Sequence, residues 1–496
     1  MGIPSYYKKL VNSIPNLVSK NHPDSIIHWM WMDFNCLIYH CLHKKELEEY
    51  PVNGTLDEKG KWENTLLDVV SKYTLKVINT VKPINGVKIC VDGVVPMAKM
   101  RQQRLRRFKS AWLKEQSGDL SWDTNSITPG TEFMNKLEAK LETLSQKYKY
   151  ISYSSSNEPG EGEHKIMADW RSGKYTGNFA VYGLDADLIV LSLLGRELEK
   201  MNNSVWLFRE EINNGAVEYD ALGEELFEWF SVHILSDYLS SGISDEEKSE
   251  YIKTYCCIMS ILGNDFLPSS LGLKIRDDGH AELIEILKRQ MHNKVPILKE
   301  NTIQQRGLIE FFKSLRESES RSIYHYVNKK CMIARNLGFE TLKKEDGFDI
   351  KVGDNNYPLA HIEEEILINK QHKKLVDNWE VIYSKWFNGF SDIGVTKHKT
   401  CNDYLYGIQW IWNYYTGKET VCFNWYYPYS LPPLWEWLYT YLKSHSLPVL
   451  DKTNIIGASD ILPIEQLSLV LPMQSWGLIK NDKYNILYAT IFSQGF

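Results

Sequence analysis

Carboxylates recur in this chain where a fold can gather them. Asp33 closes the apolar run Ile26 to Met32, Asp92 follows Val87 to Val91, and Asp185 comes shortly after Phe179 to Val181. Asp185 and Asp187 alternate with Ala186, so both side chains share one face if the strand extends that far. Glu161 and Glu163, in PGEGEHKIMADW, fall in the expected first turn of a helix, and Asp265 ends the helical run KTYCCIMSILGND. Clustered carboxylates repel and stay together only with cations between them. Mg²⁺ takes oxygen ligands and retains water. Two such ions ~3.5–4 Å apart can activate an attacking water and stabilise the leaving oxygen of a phosphodiester. Taken singly, an Asp at a strand end is ordinarily a turn residue or a helix cap. Three strand-end acids with two acidic pairs, in Gly-rich and apolar surroundings, point instead to a metal site.

A second group is basic. Within AKMRQQRLRRFKS, Lys99, Gln103, Arg106 and Arg107 follow i, i+4, i+7, i+8 and share one face of a helix. Forked guanidinium donors with an amide suit a terminal phosphate, and a helix begun just after Asp92 keeps them near the acids. The plain alternative is a solvated basic face. Met100, Phe108 and Trp112 are expected to turn toward the core.

The elements that must hold these groups are legible in outline. Strands and helices alternate over the first ~290 residues, which predicts an α/β fold with a largely parallel sheet. Leu66, Leu67, Val70, Tyr73, Val77 and Ile78 recur at helical spacing as a crossover helix, and a long helix is expected from Ala98 to Glu115. Such sheets collect ligands at the carboxyl ends of their strands, where Asp33, Asp92 and Asp185 stand. Residues 296–375 are charged and weakly patterned, with LKKEDGFDIKVGDNN as the most loop-like piece; from 376 the chain becomes very aromatic.

Composition bounds the rest. At ~100–200 residues per domain, 496 residues make about two to four domains, and 43% apolar with 12% aromatic residues excludes a disordered chain. The net charge of −6 argues against coating nucleic acid by bulk positive charge. Eight cysteines form no CxxC pair and read as buried, reduced thiols. The amino terminus lacks the apolar stretch of a signal peptide, and the apolar stretches are short and carry acids, so the protein is expected to be soluble.

MGIPSYYKKL, MDFNCLIYHC, VDGVVPMAKMRQQRLRRFKSAW, ITPGTEFM, EPGEGEHKIM, YGLDADLIVLSL and ILGNDFLPSSLGL occur in that order. Together they resemble the XRN family of 5′-to-3′ exoribonucleases. YGIQWIWNYYTGK, FNWYYPY and IEQLSLVLP resemble its second conserved region. The resemblance implies a PIN/flap-nuclease-like parallel-sheet domain at 1–295, a variable connector at 296–375, and a truncated, mostly helical, aromatic-rich second region at 376–496 packed on the nuclease domain. It also places the family's metal-site acids on Asp33, Asp92, Glu161, Glu163, Asp185, Asp187 and Asp265, and its 5′-phosphate pocket on Lys99, Gln103, Arg106 and Arg107.

Tyr39 stands where the family usually has a base-stacking His; it keeps an aromatic face without the imidazole. The opposing ring falls on Trp425 in preference to Phe423, while Tyr426, Tyr427, Trp410 and Trp412 are expected to be core or support. The chain stops soon after IEQLSLVLPM, with DKYNILYATIF as a remnant of the next block. It therefore reads as a minimal member without the long carboxy-terminal domains, as from a compact genome such as a virus.

The implied activity is processive, two-metal hydrolysis of single-stranded 5′-monophosphorylated RNA to nucleoside 5′-monophosphates. It would use two Mg²⁺ ions, for which Mn²⁺ can substitute. A cap or triphosphate is expected to fit the pocket poorly, so the enzyme would follow the decapping machinery in RNA decay. It is expected to be a cytoplasmic monomer without membrane association, in the host cytoplasm if viral. The rivals are a flap-type or DNA-directed 5′ nuclease and a non-catalytic RNA-binding scaffold; comparing turnover of RNA and DNA, and testing Asp185→Ala, separates them.

Overall fold

The computed structural model describes residues 5–183, 185–201, 203–213, 216–336, 362–387, 392–417, 419–451 and 455–480. LKKEDGFDIKVGDNN and the expected remnant DKYNILYATIF lie outside the described residues. The chain forms two compact units: one comprises residues 10–239, 414–425 and 452–496, the other residues 1–9, 240–413 and 426–451. These group residues by packing, whereas the blocks 1–295, 296–375 and 376–496 group them by sequence resemblance, and the two partitions do not coincide.

The first unit is built on a seven-stranded sheet. Its strands are β1 (Val18–Ser19), β2 (Trp29–Asp33), β3 (Gly86–Cys90), β4 (Ile151–Ser154), β5 (Phe179–Tyr182), β6 (Val205–Glu210) and β7 (Phe227–Ser231), in the order β1-β7-β6-β5-β2-β3-β4. The five strands from β4 to β6 in that order are parallel; only β7 and β1 add antiparallel edges. The fold is α/β with a mixed, largely parallel sheet, as expected. The chain moves outward from β2 to β3 and β4, then returns to lay β5 on the other side of β2. That reversal opens the crevice at the strand carboxyl ends where such sheets bind ligands. Asp33 pairs in register with Cys90, and Met32 with Tyr182, so β2, β3 and β5 end level with one another.

The crossovers are α1 (Asn35–Cys41), α2 (Leu56–Val81), α3 (Met97–Ser117), α4 (Glu132–Lys147), α5 (Gly162–Arg171) and α6 (Ala186–Leu198), and α7 (Val232–Leu239) follows the last strand. The α2 helix starts on a capping box in which Thr55 and Glu58 satisfy each other's backbone N–H groups. All six apolar positions predicted for its inner face are buried.

Two expectations fail here. The strand preceding Asp185 ends at Tyr182, and Asp185 instead sits at the N-cap of α6 with Asp187 in its first turn. The reason is visible in the burial: Asp187 to Gly195 are all buried, so no apolar periodicity tells helix from strand. In α3, Phe108 and Trp112 are half-buried rather than core. The buried residues are Ala98, Met100, Gln103 and Arg107, while Leu105 is 67% exposed. The helix has turned part of its polar stripe inward. Six cysteines are buried and all eight are free, but Cys36 and Cys422 are only half-buried.

The second unit is mainly helical, with α8 (Asp245–Ile258), α9 (Gly279–His292), α10 (Gln305–Asn336), α11 (Ile393–Thr416) and α12 (Trp435–Ser444). The last turn of α11, from Tyr414, counts with the first unit. Trp410, Trp412 and Tyr427 are buried, whereas Tyr426, expected as core or support, is 44% exposed and is not core. The α13 helix (Pro463–Val470) belongs to the first unit and packs on α3. Among the described residues no helix is long and apolar enough to cross a membrane.

Candidate metal centre and phosphate pocket

The acids of the first unit collect at the ends of its central strands. Asp33 ends β2, Asp92 lies two residues past β3, and Glu161 is the N-cap of α5 with Glu163 in its first turn. Gly162 makes this approach possible: a Cβ there would meet Asp33 Oδ1 at 2.5 Å and the Cys90 carbonyl at 2.8 Å. The Gly162 N–H instead donates to Asp92 Oδ1 at 2.7 Å, and the Asp92 N–H donates to Asn35 Oδ1 at 3.2 Å. Helix start and strand end are thus tied through the acids themselves.

Burial, followed by the negative charges of Asp92 and Asp185, holds the Asp33 carboxyl well above its ordinary value, while Lys99 opposes the shift. Glu163 is raised in the same sense by burial and then by Glu161. Carboxyls that obstruct one another's ionisation are a set that a bound cation would stabilise. One carboxylate oxygen from each of Glu161 and Glu163 and a ring nitrogen of His164 all lie within 4.8 Å of one another. That donor set suits a divalent cation.

His164 is the residue the sequence reading passed over, although it directly follows the acidic pair. Its Nε2 is buried and meets no hydrogen-bond partner among the described residues. Burial, then Arg171 and Lys99, pushes the imidazole well below its ordinary value, so it is neutral and able to ligate. Tyr414 covers it, with ring centroids 3.9 Å apart, and donates its hydroxyl to Glu161 Oε1 at 3.0 Å. Asp265 lies in the second unit, past the 3-10 turn Met259–Leu262.

The basic helix reaches the same centre. Lys99 Nζ lies 2.5 Å from Glu161 Oε2, so this member of the predicted phosphate stripe is engaged by an acid. Farther along α3, Gln103 Oε1 and Arg107 Nη1 are buried and have no hydrogen-bond partner among the described residues. Burying such groups costs free energy unless something completes their bonding. Burial lowers the Arg107 guanidinium to about 10, which leaves it charged at neutral pH. Arg106, Arg107 and Tyr39 line one cavity of about 790 Å³.

Tyr39 is 40% exposed beside the two arginines. Phe423 is buried: its carbonyl accepts the Met97 N–H and its own N–H donates to the Ile456 carbonyl, which fastens it to the start of α3. Trp425 is half-buried and is the more accessible ring of the two.

Residues 1–211 match the family described as XRN 5′-3′ exonuclease N-terminus. The amino-terminal part of this chain is thus similar to the nuclease region of the XRN family. Among curated relatives, a 5′-3′ exoribonuclease 2 of Eremothecium gossypii is 30% identical over 371 residues, covering 58% of this chain and 38% of its own length. A 5′-3′ exoribonuclease 1 of Saccharomyces cerevisiae is 30% identical over 332 residues, covering 59% of this chain and 21% of its own. The human 5′-3′ exoribonuclease 1 is 26% identical over 553 residues, covering 97% of this chain and 31% of its own. The chain therefore spans well under half the length of these relatives. The flap endonuclease of bacteriophage T5, solved with DNA and metal ions, aligns at 11% identity with a TM-score of 0.29, over 62% of this chain and 94% of that one. So slight a likeness carries no argument.

Proposed function

We propose that this chain is an XRN-type 5′-to-3′ exoribonuclease that degrades single-stranded, 5′-monophosphorylated RNA processively. The observation that carries the reading is one helix serving two chemistries. At its start α3 places Lys99 on Glu161 of the acidic cluster, and one to two turns later it buries the unpartnered polar atoms of Gln103 and Arg107. A terminal phosphate bound by Gln103, Arg106 and Arg107, with Lys99 at the inner end, is held at a fixed distance from the acids. That distance selects which phosphodiester lies over them.

Asp33, Asp92, Glu161, Glu163, Asp185 and Asp187 would hold two Mg²⁺ ions, or Mn²⁺ in their place, with Asp265 assigned to the same role by the sequence resemblance alone. Ions bound there supply Lewis-acid activation of water and charge stabilisation at the scissile phosphate. Tyr39 and Trp425 stack on the leading bases, worth ~1–3 kcal/mol per base without regard to sequence. Water adds to the phosphorus, the bond from phosphorus to the 3′ oxygen breaks, and that oxygen takes up a proton. The products are a nucleoside 5′-monophosphate and a chain with a new 5′ phosphate, ready for the next cycle.

Curated relatives named 5′-3′ exoribonuclease 1 and 2 support the choice of RNA. In this reading the enzyme is a cytoplasmic monomer acting after the decapping machinery. Time-resolved product sizing on RNA labelled at either end tests it, with 5′-phosphorylated DNA run alongside. The expected result is mononucleotides without intermediates, from RNA and only with a 5′ phosphate. A ladder shortening from the 3′ end, or equal turnover of DNA, would overturn it.

A further inference from the structure

A second cavity, of about 300 Å³, lies wholly within the helical unit, between the end of α9 and the first turns of α10. That volume is at the small end of the ~300–1,000 Å³ range of ligand pockets. None of its lining residues belongs to the acidic or basic groups described above. After α9, Lys294 takes a left-handed conformation and the Val295 N–H donates to the Gln290 carbonyl at 3.0 Å, which turns the chain back. At Gly307 a Cβ would meet the Pro296 carbonyl at 2.2 Å, so glycine is what lets α10 start against that turn.

Gln290, only 6% exposed, lines this cavity. Its Nε2 donates to the Gly307 carbonyl at 2.8 Å and the Val295 carbonyl at 3.3 Å. Turning the amide over would set an oxygen against two carbonyl oxygens, so the placement of Oε1 is fixed. That oxygen is buried and has no hydrogen-bond partner among the described residues. Leaving it so costs free energy, and an O–H or N–H donor on a ligand would complete it. Arg289 enters from α9 and Arg306 from the first turn of α10. Among the described residues neither guanidinium has an ion-pair or hydrogen-bond partner. Forked donors of this kind suit the oxygens of a phosphate, and the positive end of α10 favours the same anion. The third cation, Lys313, is paired with Glu310 at 3.2 Å. Glu317, ~16 Å along the axis from Arg306 at ~1.5 Å per residue, sets a carboxylate at the opposite end. The cavity is thus suited to one anionic group at the arginines and to hydrogen-bond donors elsewhere, and not to a run of phosphates.

We propose that this cavity binds one free nucleoside monophosphate, with its phosphate on Arg289 and Arg306 and a ribose hydroxyl donating to Gln290 Oε1. An RNA strand would carry further phosphates toward Glu317, which favours the single nucleotide. The site does not depend on the nuclease reading above, although that reaction would release molecules of the same class.

The test is photolabelling of the full chain with 8-azidoadenosine 5′-monophosphate in EDTA, followed by mapping of the labelled peptides. Label is expected between residues 289 and 317, and adenosine 5′-monophosphate should protect against it. The 2′,3′-dideoxy nucleotide should protect about tenfold less well, because it leaves Gln290 Oε1 unpaired, and inorganic phosphate should be weaker still. Positions 289 and 306 are exposed, so Arg289→Gln/Arg306→Gln should fold; it should lose the label in this stretch and keep any label on α3. Peptides from α3 report the pocket of the nuclease reading separately, so the two can fail independently. No label between 289 and 317, or equal label in the double variant, overturns the site. Equal protection by the dideoxy nucleotide or by inorganic phosphate overturns the nucleotide as its ligand. Protection by a 5′-hydroxyl RNA tetramer at a lower concentration than adenosine 5′-monophosphate overturns the free nucleotide in favour of a strand.

Discussion

Lys99 shows how little room single residues have at this centre. Its ammonium pairs with Glu161, whose other oxygen accepts the Tyr414 hydroxyl, so a divalent cation drawn to Glu161 must compete with a resident positive charge. Lys99→Met should therefore tighten Mn²⁺ binding by the isolated protein in calorimetry while shrinking the preference for 5′-monophosphate over 5′-hydroxyl RNA; weaker Mn²⁺ binding would refute the competition. Asp187→Ala, at a buried first-turn carboxylate, should abolish hydrolysis and leave RNA binding measurable in Ca²⁺. The net charge of −6 carries little weight at this scale. Acids concentrated at one place dominate the total, and the basic stripe is too local for the total to register.

At the scale of elements, the site depends on a helix start driven against a strand end. Gly162→Ala would place a methyl 2.5 Å from Asp33 Oδ1 and 2.8 Å from a backbone carbonyl, and backbone cannot yield as a flexible side chain can. The expected outcome is a fall in cleavage of at least about a hundredfold, since a displacement near 1 Å costs that much at a reacting centre, together with weaker Mn²⁺ binding; near-normal values of both would show that α5 shifts freely. Asp33 and Asp92 were legible in the sequence because apolar runs end on or beside them. The crossover helix was legible because its inner face repeats at 3.6 residues. Whether the strand ran on to Asp185 and Asp187 was not legible, because a helix buried on every side carries no period. Phe108 and Trp112 are only half-buried for the converse reason: a helix that buries Gln103 and Arg107 no longer follows the apolar pattern. The neutral His164 was overlooked because its significance lies in burial and in the Tyr414 ring, and neither is written in local spacing.

At the scale of the whole molecule, two buried glutamates, one in each unit, respond to pH in opposite senses. In the sheet unit Glu225 is buried; burial alone would raise its carboxyl, but hydrogen bonds with His40 and Lys44 outweigh that and lower it to about 2. Because the folded value lies below the ordinary one, this contribution is complete above about pH 4.5 and is lost as pH falls through about 2. In the helical unit Glu319 accepts the Trp435 and Glu436 N–H groups at the start of α12, yet burial prevails and raises it to about 8. Its contribution is complete below about pH 4.5 and is lost as pH rises through about 8. Calorimetric scans should show the alkaline loss flattened in Glu319→Gln with the acid limb unchanged; an alkaline limb identical to wild type would exclude Glu319 as its source.

The placement of α13 bears on how this chain is made. The α3 helix is braced by residues far downstream: Gln466 Oε1 accepts the Val95 N–H at 2.8 Å, and Val470 packs with Val94, Val95 and Met100. During synthesis the strands and their acids leave the ribosome hundreds of residues before that brace. A nascent chain can gather its carboxylates early, but α3 is secured only once α13 has emerged. Any activity that needs α3 braced would thus wait for Gln466 and Val470 to emerge.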